Sequence, residues 1–199
     1  MNLSATYIKA FEQNCIWLII NAYEIAKAEK KYRLDWDEND FSELLCHYVN
    51  ESPLSSEKGI TCITEKKIFS ETNNLAKGFA NKLPRIDFIY FKIWKKQRVN
   101  FYFEAKRLKE RDSELTRAYI NEGMDRFISK KYPKGCMLGY LIEGNPDKTI
   151  KDINALLEKY KRSSEYLLRK PEKLYPFCCE SYHSEIGLLK HLILDFTVQ

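Results

Sequence analysis

Several things are missing from this 199-residue sequence, and each narrows what the protein can be. There is no long hydrophobic run: the longest apolar stretch near the N-terminus, Cys15 to Ile20, is far short of the roughly 20 residues a membrane span needs. No basic-then-apolar leader precedes it, so no membrane association is expected. The six cysteines, Cys15, Cys46, Cys62, Cys136, Cys178 and Cys179, form no Cys-x-x-Cys pair, which argues against a zinc site or a disulfide framework. A reducing cytoplasm is the expected compartment. Neither a glycine-rich phosphate loop nor a Gly-x-Ser-x-Gly elbow occurs, which removes the common nucleotide-binding and serine-hydrolase motifs. No Pro/Gly/Ser linker, low-complexity tract or internal repeat divides the chain, and its 44% hydrophobic content can fill a core, so one domain over residues 1–199 is expected.

What is present begins with alternation. Ile86 to Trp94 and Val99 to Lys106 are rich in β-branched and aromatic residues, and both read as strands. The polar stretch Lys95-Lys96-Gln97-Arg98 between them suits a hairpin turn, which makes the strands antiparallel neighbours. Asp87 then falls near the end of one strand and Glu104 near the matching end of the other. Glu104 and Lys106, two apart, share a face of an extended strand.

Two carboxylates in a half-buried sheet repel one another unless a cation neutralises them. Oxygen ligands favour a hard ion, and Mg²⁺ or Mn²⁺ held by Asp87 and Glu104 could polarise a phosphodiester while Lys106 offsets developing charge. The expected reaction is phosphodiester hydrolysis.

Pro84-Arg85-Ile86-Asp87 followed by Glu104-Ala105-Lys106, joined by a hairpin, resembles the PD-(D/E)XK or restriction-endonuclease-like nucleases. The sequence departs from the family pattern in that Asp87 does not directly follow Pro84. The resemblance implies an α/β fold, a central mixed β-sheet flanked by α-helices, with Asp87, Glu104 and Lys106 as the catalytic core. It also implies a further acid from an early helix. Glu43 is preferred, in an amphipathic helix over Phe41 to Val49 whose N-caps lie within Asp35 to Asp40. Glu24, in a long helix over about residues 4 to 31, and Glu71, in a strand-like stretch over Ile63 to Glu71, are the other candidates.

The net charge is +5, and its distribution says more than its size. Basic residues cluster at the hairpin, with Lys95, Lys96 and Arg98, and after the Glu-x-Lys element, with Arg107 and Lys109; Lys130 and Lys131 follow further on. These could track a phosphate backbone, and their place beside the candidate metal site favours nucleic acid, DNA above all. Arg126 could take a phosphate on a helix over Ser113 to Lys131, with local pairing to Glu122 as its competitor. A strand over Gly135 to Ile142, a helix over about Asp147 to Leu168 and two closing strands over Cys178 to His183 and Ile186 to Phe196 complete the expected order.

Tyr119-x-x-x-Gly123-Met124-x-Arg126-Phe127, Ser181-x-His183 and His191-Leu192 also resemble small bacterial proteins of this nuclease class linked to phage defence. The expected protein is a Mg²⁺- or Mn²⁺-dependent deoxyribonuclease acting against foreign DNA. The alternative is a catalytically silent nuclease-like subunit that binds nucleic acid or a partner protein. Cutting both strands of a duplex would favour a homodimer, and room remains for a partner ATPase or helicase.

Overall fold

The computed structural model describes residues 4–69, 77–132, 135–170 and 175–197. The chain opens with two helices, α1 (Ala5–Glu29) and α2 (Glu38–Glu51), and the short α3 (Pro53–Lys58). Asp37 starts α2 by accepting the N–H groups of Asn39 and Asp40, and Asp40 returns a bond to the Asp37 N–H, a reciprocal cap. Three antiparallel strands follow: β1 (Thr61–Lys67), β2 (Arg85–Trp94) and β3 (Gln97–Lys109). The β2–β3 turn is just Lys95-Lys96, both at positive φ (44° and 67°), the two-residue geometry whose twist matches a right-twisted hairpin.

After β3 come α4 (Ser113–Ala118), a π-helical turn (Tyr119–Met124) and α5 (Asp125–Ile128), then β4 (Gly135–Glu143). The single helix expected over Ser113 to Lys131 is thus interrupted midway and ends early. α6 (Pro146–Lys159) also stops short of Leu168. Lys161 adopts φ 60° while its N–H bonds Glu158 O and that of Arg162 bonds Leu157 O, a Schellman closure made without glycine. The two-residue β5 (Leu168–Arg169), β6 (Cys178–His183) and β7 (Gly187–Asp195) finish the chain.

The seven strands form one mixed sheet in the order β1-β2-β3-β4-β7-β6-β5, with β4 parallel to both β3 and β7 and the other pairs antiparallel. Alternation sorts the side chains onto two faces. Phe88, Tyr90, Phe101, Phe103, Leu138 and Tyr140 pack against α1 and α2. Ile89, Leu108, Met137, Leu141 and Ile193 pack against α4, the π turn, α5 and α6. The architecture is α/β, a mixed sheet with helices on both faces. Among the described residues no helix is long and apolar enough to cross a membrane.

Candidate active site

Strand β3 outruns its partner. The β2–β3 ladder closes at Phe88↔Phe103, yet β3 continues to Lys109, past the Lys106 at which the sequence placed its end. Where the strands part, the Asp87 carboxylate replaces the missing ladder acceptor: Oδ2 takes the Ala105 N–H at 2.5 Å. Two residues on, the Glu38 side chain at the start of α2 accepts the Arg107 N–H at 3.2 Å. The exposed edge of β3 is therefore closed by two carboxylates.

Glu104 stands on the other side of this fork, on the face toward the π turn and α5, and is 0% exposed. Its Oε1 accepts from Lys106 Nζ at 3.2 Å and from the Arg126 guanidinium. Among the described residues its Oε2 has no hydrogen-bond partner. The Lys106 ammonium also donates to the Ala105 carbonyl at 3.0 Å, so a cation already bridges a carboxylate and a backbone oxygen. Gly123 lets the π turn settle over this lysine, because a Cβ there would lie 2.4 Å from Met137 Cε and 3.6 Å from Lys106 Cγ.

The electrostatics follow from crowding. Burial pushes the Glu104 carboxyl up to about 7 and the adjacent Asp87 charge adds to it, while Lys106 and Arg126 pull the other way. Asp87 is also raised, chiefly by burial, against Lys106, the Ala105 N–H and Arg126. A buried acid raised by burial and by a neighbouring carboxylate marks a place suited to a further positive charge. Asp87, Glu104 and the Ala105 carbonyl are hard oxygen donors of the kind Mg²⁺ or Mn²⁺ takes, and the orphaned Oε2 can receive one, so these residues fit such an ion. No third Asp, Glu, His or Cys completes a ligand group among the described residues.

Asp87, Glu104, Lys106 and Arg126 are brought together. Arg126 meets Glu104 rather than Glu122, which is exposed one turn away, so the local pairing is corrected by a buried acid 22 residues distant in sequence.

The other candidates lie elsewhere. Glu43 is exposed and accepts from Thr64 at 2.7 Å; Thr64 pairs across from Phe88, which faces α1 and α2, so Glu43 sits over the wrong face of the sheet. Glu24 is exposed on α1, and Glu71 lies outside the described residues. The early-helix acid nearest the fork is Glu38, whose signal in the sequence was its place directly after the cap.

Arg107 is likewise a correction. Its guanidinium donates to Trp36 O at 3.2 Å and lies 3.8 Å from Glu38, tying α2 to the sheet rather than facing a ligand. Lys109 pairs with Glu143 at 2.5 Å. Lys95, Lys96 and Arg98 are exposed at the hairpin tip, with Arg98 stacked on Phe91 at 4.0 Å and Lys95 over Trp94 at 5.9 Å. Arg98 is six residues up the strand from Glu104, or about 20 Å at roughly 3.3 Å per residue. The hairpin bases are thus a separate basic-aromatic surface.

His183 and His191 belong to a buried chain away from the carboxylates. Ser181 Oγ lies 2.6 Å from His183 Nε2 and 2.8 Å from His191 Nε2, and His191 Nδ1 lies 2.8 Å from the Tyr119 hydroxyl at the start of the π turn. Burial lowers His191 to about 3, so it is neutral at physiological pH.

No family model, no curated protein and no solved structure matches this chain.

Proposed function

We propose that this protein is a metal-dependent nuclease of the restriction-endonuclease-like fold, hydrolysing phosphodiester bonds in DNA in defence against foreign DNA. The reading rests on one observation: two carboxylates, Asp87 and Glu104, crowd together at the fork between β2 and β3 with a cationic side chain spanning Glu104 and the Ala105 carbonyl. When bound, Mg²⁺ or Mn²⁺ supplies charge that polarises a phosphate and acidifies a water.

The chain's own groups do the rest. Asp87, fixed by the Ala105 N–H, and Glu104, with a free Oε2, hold the negative charge that attracts the cation. Lys106 sits on a flexible stem and can turn from Glu104 toward a phosphate oxygen once Glu104 is otherwise neutralised. Arg126, partly exposed beside Glu104, offers a planar fork to the same phosphate. Lys95, Lys96 and Arg98, about 20 Å or more away along β3, would hold the nucleic acid backbone, a positioning role.

A second reading is supported by the ion pairs themselves. Lys106 and Arg126 both engage Glu104 Oε1, which closes the site and suits a silent subunit that binds nucleic acid or a partner without cutting.

The deciding experiment offers supercoiled plasmid, linear duplex, single-stranded DNA and RNA to the purified protein in Mg²⁺, Mn²⁺ or EDTA. Metal-dependent cleavage that falls at least 100-fold, about 2.7 kcal/mol of barrier, in both Glu104→Ala and Lys106→Ala is the expected result. Binding without cleavage under every condition overturns the nuclease in favour of the silent subunit.

A further inference from the structure

A cleft of about 520 Å³ opens on the sheet face that carries Glu104, walled by Phe69, Tyr102, Phe127, Tyr132 and Leu188. That volume lies in the range of small-molecule sites. Phe69 and Leu188 are 56% and 55% exposed, so large apolar groups face the opening. Lys130 and Lys131, exposed after α5, supply two ammonium groups on the same rim.

Phe127 and Tyr132 are buried in the wall, which leaves the exposed Phe69 and the half-buried Tyr102 as rings open to a ligand; with two cations on the rim they suit one that is flat, apolar on its faces and anionic at one end. The position of the cleft narrows that class. Tyr102 and Glu104 are two residues apart on one face of β3, a separation of about 7 Å. Tyr132 forms the shared wall: its hydroxyl donates to the Arg85 carbonyl, and the Arg126 guanidinium that holds Glu104 lies 5.7 Å over its ring.

We propose that this cleft receives the base of the nucleotide whose phosphate is presented to Asp87 and Glu104. The inference rests on the nuclease reading and names its substrate class. A base stacked inside a duplex cannot enter a side cleft, so the substrate is an unpaired nucleotide, in a single strand or turned out of a helix. Stacking on the rings accepts any base, and Lys130 and Lys131 hold a neighbouring phosphate.

Calorimetric titration of the full chain in EDTA, where nothing can be cut, tests the cleft by itself. The ligands are a deoxynucleoside 5′-monophosphate, 2-deoxyribose 5-phosphate, which lacks the base, and decanoate, which has an anionic head on an apolar chain. The nucleotide is expected to bind at least tenfold more tightly than either. Phe69→Ala and Leu188→Ser, both at exposed positions that the fold tolerates, should erase that advantage. Lys130→Ala with Lys131→Ala should weaken both phosphates alike.

Equal binding of the sugar phosphate, tighter binding of decanoate, no saturable binding, or an advantage that survives both cleft variants would each overturn the assignment. The outcome is separable from cleavage. A chain that binds the nucleotide in the cleft but cuts nothing loses the nuclease and keeps a base-binding site, whereas one that cuts without any base preference keeps the nuclease and loses the cleft.

Discussion

Replacing Glu104 by glutamine should make the protein more stable at neutral and alkaline pH. In the folded chain this carboxyl is carried from 4.5 to about 7, which corresponds to roughly 3 kcal/mol at about 1.4 kcal/mol per pH unit. The sign follows from proton binding. Between pH 4.5 and 7 the folded state retains a proton that the unfolded chain has released, so wild-type stability falls as pH rises through that window and is level above it. Glutamine has the same shape and no charge to bury.

Lys106 and Arg126 lose an ionic partner in the variant, and both are partly exposed to water, which trims the gain to about 1–3 kcal/mol. For a chain of this length that is roughly 3–10 °C in melting temperature. The assay is urea unfolding of wild type and Glu104→Gln in EDTA at pH 5, 6, 7 and 8. The two curves should nearly coincide at pH 5 and separate by pH 7. A variant less stable than wild type at pH 8, or a gap that is flat across the series, would show that the ion pairs outweigh burial and would refute the picture of a charge held at a loss. Stability surrendered at one buried acid is the usual signature of a site kept for function.

Two further outcomes follow from the charges and the buried network. Removing Lys95, Lys96 and Arg98 together should reduce the slope of log K against log salt for duplex DNA by about 0.9 per charge, roughly 2.7 in all, measured by fluorescence anisotropy. Arg107→Ala should leave that slope unchanged and lower the melting temperature instead; a changed slope would return Arg107 to the interface. Ser181→Ala strips both His183 Nε2 and His191 Nε2 of their shared partner and should cost about 2–3 kcal/mol in urea unfolding at pH 7, an effect absent from a neutral packing position.

The hairpin was legible because its signals are local and agree with one another. Aromatic and β-branched residues are dense over Ile86 to Trp94 and Val99 to Lys106, a short polar, charged stretch over Lys95 to Arg98 breaks them, and the carboxylates fall at fixed offsets. That the α2 cap lies within Asp35 to Asp40 was legible for the same reason, although which residue of the stretch caps, Asp37, was not. The π turn was not, since slipping the hydrogen bonds by one residue leaves the apolar spacing of Tyr119, Ile120 and Met124 looking helical. The end of α6 was hidden because a lysine, not a glycine, takes the left-handed position at 161.

At the site, sequence proximity misled twice. Glu122 is one turn from Arg126, but the buried Glu104 competes across the fold and wins. Glu43 lies near the apolar stripe of α2, but that stripe faces the opposite side of the sheet from Glu104. Position relative to a helix's own core face carries no information about which layer the helix joins.

The closure of the β3 edge by Asp87 and Glu38 has a practical side in solution behaviour. A free strand edge is a template on which another chain can pair and aggregate. Here the Ala105 and Arg107 amides are already occupied, and each is screened by a negative charge that repels an incoming acceptor. A variant that truncates Asp87 to alanine would open the first of these amides and invite aggregation, so any loss of the proposed cleavage would be confounded with loss of dispersed protein. Asp87→Asn keeps an acceptor oxygen at the fork while removing the charge, and is the sounder variant for testing the proposed cleavage.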